Sequence, residues 1–243
     1  MTRRWRSTIL VLLLVVASAC NSDVDEQWFL DHDRIIAVRA SKPGLLAGEE
    51  AQLDALVGRK GAAPVEETAP AAMVVSPESL ASALRFDGGR WLVTAPDDAK
   101  LAQVRTELGL EADDPVPLVV GSAWPATAFP MDENGVPFVA LKTVYLGVTA
   151  ENPVLDDMTI NGVDAEATSE IIVGKLVDVP LSVTAGEEDI VNWLTSCGTM
   201  RDFDLPQAYL RVEEEDMTEG SLAVVVRRQF GGVAWKVWPI RAE

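Results

Sequence analysis

The chain has 243 residues, 48% of them hydrophobic, and a formal net charge of −18. That acidity lacks the basic footprint that neutralises a phosphate backbone, which makes nucleic acid a poor partner, and it repels anionic bilayer surfaces. The hydrophobic content is ample for a packed core, so the acidity is not that of a disordered tail. In chain order the first segment is one of targeting: Arg3, Arg4 and Arg6 form a basic start, residues 9–16 are continuously apolar, and Ala17-Ser18-Ala19 is small. A bilayer span needs about 20 apolar residues. Residues 1–19 therefore read as a secretory signal peptide and not as a permanent transmembrane helix.

The next residue is Cys20, in "VASAC". This stretch resembles the lipobox of bacterial lipoproteins, whose cysteine becomes the lipid-bearing first residue after cleavage; Ala17 stands where a leucine would match better. The resemblance implies a lipid on Cys20, a membrane held through that N-terminal lipid, and, with Asn21 and not aspartate next, the outer membrane. An ordinary secreted protein cut near Ala19 is the alternative. Loss of Arg3, Arg4 and Arg6 would take the formal charge from −18 to −21. With Cys20 acylated, Cys197 has no partner in the chain, so stability would come from the core and not from a disulfide.

Residues 20–29 read as a short acidic tether, and residues 30–123 as a first β-rich domain. In "RIIAVRASKPGLLAGEEAQLDALVG", Ile36, Val38 and Ala40 alternate and Pro43-Gly44 breaks the run. Ala51, Leu53, Ala55 and Val57 then face one way while Glu50, Gln52 and Asp54 face the other, the period of a half-buried strand. This stretch resembles the opening strands of immunoglobulin-like domains in predicted myxobacterial surface lipoproteins, which implies a sandwich fold without an attached activity. Residues 61–72 read as a Pro/Ala loop. Ser76-Pro77 starts a helix with Leu80, Ala83 and Leu84, "RWLVTA" is a strand, and "PDDAKLAQVRTELGL" is a helix capped by Asp97 or Asp98 and stopped by Gly109. "VPLVV" is a buried strand.

Residues 124–137, with prolines at 125, 130 and 137 and Asn134-Gly135, read as an interdomain linker or long turn. Residues 138–243 form the second β-rich domain. In it Val191, Trp193 and Thr195 share one strand face. Leu222, Val224 and Val226 alternate up to a Phe230-Gly231-Gly232 turn, and Trp235 and Val237 alternate back as a hairpin. The expected fold is mainly β: two immunoglobulin-like β-sandwich domains, the first with one or two inserted helices.

Few residues stand out for chemistry. His32, between Asp31 and Asp33, is the only histidine, too few for a zinc site or a catalytic triad. Cys197 reads as a buried structural thiol. The loop carboxylates Asp156, Asp157, Glu213, Glu214, Glu215 and Asp216 are weak calcium candidates, since calcium takes six or more converging oxygens, and solvated loop charge is the plainer reading. The clusters 132–134 and 187–189 are similar. Trp235 and Trp238 must point to opposite faces of one strand. Tyr209, Phe230 and Trp238 are nominated as a partner surface for another envelope protein or a glycan. No phosphate loop, nucleophile elbow or metalloprotease helix occurs, and no cofactor is called for. The function expected is a non-enzymatic binding or structural module at the cell envelope. The alternatives are a subunit of an envelope machine for secretion, adhesion or motility, or a carboxylate-based hydrolase acting through a paired-carboxylate cleft.

Overall fold

The computed structural model describes residues 26–68, 71–124, 138–166 and 168–243. The first sandwich contains β1 (Arg34–Ala40), β2 (Gly44–Leu45), β3 (Glu50–Arg59), β4 (Ala62–Glu67), β5 (Ala71–Ser76), β6 (Leu84–Asp87), β7 (Arg90–Thr94), β8 (Val116–Trp124) and β9 (Phe138–Leu146). One of its sheets runs β1-β3-β7-β6 with β4 added on β3; the other runs β2-β9-β8-β5. The chain leaves β1 at Ser41–Pro43 and changes sheets, so that β2 pairs in parallel with β9. This order, with a first strand split between both sheets, is that of an immunoglobulin-like Greek key.

The second sandwich repeats that order. Its elements are β10 (Thr159–Ile160), β11 (Val163–Asp164), β12 (Ile171–Val173), β13 (Asp178–Ser182), β14 (Ile190–Thr195), β15 (Thr199–Arg201), β16 (Gln207–Arg211), β17 (Glu219–Arg227) and β18 (Val233–Ala242). The sheets are β11-β10-β13-β16-β15 and β12-β18-β17-β14, with β12 again parallel to the last strand. Both units are therefore immunoglobulin-like, as expected.

Three expectations about the chain's course are corrected. Phe138–Leu146 does not open the second domain, because it pairs along its whole length with Val116–Trp124 in the first sandwich. The boundary expected at 124–137 falls between two partner strands, and the crossing to the second sandwich lies between Leu146 and Thr159. Much of residues 61–72 is strand, because β4 pairs with β3 and β5 with β8. Pro64 is tolerated there because β4 has β3 as its single sheet partner, leaving one edge unpaired. Finally, the end of the expected tether is docked: Leu30 N donates to Thr195 O and Thr195 N to Trp28 O, both at 2.9 Å.

The inserted helices are a 3-10 turn at Glu78–Ala83 and α1 (Asp98–Leu108). Leu101 and Val104 of α1 enter the core. The Asp97 carboxylate accepts from Lys100 N at 2.8 Å, and Gly109 ends the helix in the left-handed region at φ 69. Asp97→Ala is expected to cost about 1 kcal/mol through loss of this cap, read as a lower urea midpoint at unchanged slope.

Leu53, Val93, Leu118 and Val144 are in the core of the first sandwich, and Trp193, Leu210, Val224 and Trp238 are in that of the second. A third cluster joins the two: Ala37 and Leu56 of β1 and β3 meet Leu194, Ala223, Val225 and Val233, with Leu30 among them. The sheets thus stack four deep where β1 and β3 lie on β14, β17 and β18. This explains the sequence of β17, in which Ser221–Val226 is buried without a break. Its even residues fill the second core and its odd residues Ala223 and Val225 fill the junction.

Candidate functional site

The turn of the β17–β18 hairpin lies over β9 of the first sandwich. Arg228 is held by Asp189 in a two-pronged ion pair, Nε to Oδ1 at 2.9 Å and Nη2 to Oδ2 at 2.8 Å, and Gly186 N donates to the same carboxylate at 2.8 Å. The Arg228 hydrogen bond holds the Asp189 carboxyl below the usual range. The turn then takes left-handed conformations at Phe230 (φ 55) and Gly231 (φ 75). Gly231 is required twice over, because a Cβ there would also collide with the Thr143 carbonyl oxygen. Phe230, 46% exposed, sets its ring edge against Tyr145 at 5.4 Å. A groove of about 580 Å³ runs beside it, lined by 149–151, 186–189 and 228–230.

On the inner side of this turn, Lys142 is only 3% exposed and its Nζ donates to Gly231 O. Burial, then repulsion from Arg227, lowers its pKa to about 8, against a pull upward from Asp54. Arg227 donates to Asn192 Oδ1 at 2.6 Å and across the junction to Ile36 O at 3.0 Å. A cavity of about 400 Å³ lies between these groups.

The outer face of the β9-β8-β5 sheet continues from Tyr145. Met73, Val75, Val139 and Leu141 are exposed on it, Leu141 by 67%. Gly121, paired with both Met73 and Leu141, lies level with them at the middle of the sheet. Lys142 is the one charged residue in these three strands, and it points inward. A face without charge is exceptional in a chain at −18.

A polar clamp closes another part of the junction. Arg39 bridges Asp54 (2.6 Å) and Glu66 (3.0 Å), stacks over Trp235 at 4.0 Å, and Trp235 Nε1 donates to Glu66 Oε2 at 3.0 Å. Burial pushes the Asp54 carboxyl up, opposed by Arg39 and reinforced by Glu66. These two carboxylates were not singled out in sequence; with a guanidinium between them they make a strap between sandwiches. Asn152 adds another, donating to Ala40 O at 2.9 Å and accepting from Val233 N at 2.9 Å.

The nominated partner residues separate. Trp238 is 1% exposed in the second core and its Nε1 donates to Ala165 O at 3.0 Å, which removes it from any surface. Trp235 is the outward residue, covered by the first sandwich. Tyr209 is exposed on the outer face of the β16 sheet beside Arg201, whereas Phe230 lies at the junction; the structure does not bring the two together.

The calcium candidates are engaged otherwise. Glu213 accepts from Arg211 at 2.6 Å, Asp216 from Glu213 N at 2.8 Å, and Asp157 from Thr184 at 3.4 Å. Glu214 and Glu215 lie within that turn, Glu214 with Lys175 Nζ at 3.9 Å, and Asp156 offers its carbonyl to Thr184 N. Among the described residues no three His, Cys, Asp or Glu side chains converge to hold a metal. Asp31 and Asp33 instead accept from Gly61 N and Lys60 N, fixing the β3–β4 turn. Cys197 is buried in the second core, and its thiol is pushed up by burial. Cys20 and the signal segment lie outside the described residues, as does the cluster 132–134.

No family model matches the sequence and no curated relative matches it. Among solved structures, tandem Ig repeats of Dlar align at 10% identity over 85% of this chain and 97% of that one, with a TM-score of 0.32. Protocadherin Gamma B2 extracellular cadherin domains 3-6 align at 11% identity over 87% and 50%, with a TM-score of 0.29. A nucleoside hydrolase-related hypothetical protein from Saccharophagus degradans aligns at 10% identity over 35% and 25%, with a TM-score of 0.27. The chain thus spans a quarter of that protein and half of the protocadherin fragment. At such scores the likeness carries no functional argument, and the fold assignment rests on strand order.

Proposed function

We propose that the protein is a lipid-anchored lipoprotein of the outer membrane whose two docked sandwiches act as a non-enzymatic binding module. Cys20 carries the lipid in this reading, which the "VASAC" lipobox resemblance supports. Among the described residues no helix is long and apolar enough to cross a membrane. The observation that carries the binding role is the uncharged outer face of β9, β8 and β5. In a chain of net charge −18 this face is where an uncharged, apolar surface of another envelope protein would meet the chain at little electrostatic cost. The module is stiff, because the junction is apolar at its centre and strapped at its rim. A partner bound on one sandwich therefore holds the other with it.

The test combines anchor and face. Wild type is expected to pellet with outer membranes and to gain the mass of a lipid, and Cys20→Ser to be soluble without it. Leu141→Glu is expected to stay anchored and folded, since its side chain is exposed, while losing the cross-linked partner that wild type retains. A soluble, unmodified wild type would remove the anchor. An unchanged cross-link pattern in Leu141→Glu would remove the face.

A further inference from the structure

Two cations with only neutral partners border one cavity at the sandwich junction. Lys142 has three ammonium donors and one acceptor, Gly231 O. Arg227 has Asn192 Oδ1 and Ile36 O. Neither makes an ion pair among the described residues, although this chain has nearly two acidic residues for each basic one. Arg228 also borders the cavity, but Asp189 already occupies its guanidinium. The rest of the lining is largely apolar, with Ile36, Val38, Ala140, Leu141 and Val233 in the walls.

We propose that this cavity binds a small organic carboxylate, its charged end on Lys142 and Arg227 and its apolar body against Val38, Ala140 and Val233. A pocket of a few hundred Å³ in which apolar side chains share the walls with a few convergent polar groups suits a small amphiphilic molecule. A buried ammonium with two unused donors is costly unless something anionic completes it. The carboxylate supplies both the missing acceptors and the missing charge. Inorganic phosphate would satisfy the cations but leave the apolar walls bare, and a neutral alcohol would do the reverse. Leu141 borders both this cavity and the uncharged face, but Lys142 and Ala140 belong to the cavity alone, so variants at these two test it independently of that face and of the lipid.

The experiment is calorimetric titration of the purified full chain with octanoate, octan-1-ol and inorganic phosphate, at up to roughly millimolar concentrations. Octanoate is expected to bind wild type, and Lys142→Met to weaken it at least tenfold. Ala140→Phe, which fills the cavity and keeps both cations, is expected to weaken it similarly. Octan-1-ol is expected not to respond to Lys142→Met. Absence of octanoate binding to wild type overturns the proposal, as does equal affinity in Lys142→Met. Phosphate binding as tight as octanoate overturns the apolar half of the site.

Discussion

Leu56→Asp is expected to separate the two sandwiches without unfolding either. Leu56 is buried on the outer face of β3, against Ala223 and Val225 of the second sandwich, and contributes to neither sandwich core. Arg39, on the same face of β1, is already held by Asp54 and Glu66, so a third carboxylate is buried without a partner of its own, at a cost of several kcal/mol. Water therefore enters and the junction opens. Each half keeps its own cluster of more than a dozen buried residues. Calorimetry should show two transitions where wild type shows one, and small-angle scattering a larger radius of gyration. Leu56→Ala, which leaves a void and no charge, should cost about 2–4 kcal/mol and keep one transition. A single transition in Leu56→Asp at the wild-type temperature would refute the docked arrangement.

The strands that alternate were legible, and what they packed against was not. Ala51, Leu53, Ala55 and Val57 do face the first core, as their spacing demands. Leu56 on the opposite face is apolar because a second sandwich covers it, a fact that no local window contains. The same holds for Phe138–Leu146. Its pattern says strand, but a Pro-rich segment before it is equally suited to join two partner strands or two domains. Pairing with Val116–Trp124 decides the matter, and pairing is long-range. β4 and β5 were missed for a related reason: backbone bonds to β3 and β8 hold them, and their side chains carry little periodic signal.

Which tryptophan faces inward was decidable, and Trp238, nominated for a partner surface, is the one in the core. Counted outward from the hairpin turn, Trp238 lies opposite Leu222 and Trp235 opposite Val225. Cross-strand partners share a face, so Trp238 goes inward with Leu222. Lys142 was also visible. In "FVALKTVYL" it occupies an inward position between Ala140 and Val144, and a lysine at a core parity is a site candidate. Arg227 carried no such mark, because the end of a strand is an ordinary place for an arginine.

Replacing Lys142 with methionine should stabilise the fold at neutral pH and remove a pH dependence that wild type carries. The lysine's pKa falls from its ordinary 10.5 to about 8 in the folded state, because burial disfavours the ammonium and Arg227 repels it. Below pH 8 both folded and unfolded chains hold the proton, and the folded state bears the full cost of the buried charge. Between about 8 and 10.5 the unfolded chain binds more protons than the folded one, so stability rises with pH through this window. It falls back as pH drops through about 8. The full swing for such a shift is about 3 kcal/mol, from 1.36 kcal/mol per unit. Methionine fills the same volume without charge, though it leaves Gly231 O without its donor, a loss of about 1 kcal/mol. The net gain at pH 7 is therefore expected near 1–2 kcal/mol, shrinking and then reversing as pH approaches 10. Urea midpoints of wild type and Lys142→Met from pH 6 to 10 measure the difference directly and cancel the titration of every other group. A difference that stays flat across that range would mean that Lys142 is not held in a buried, charge-averse site. The cavity at the junction would then have lost its cationic wall.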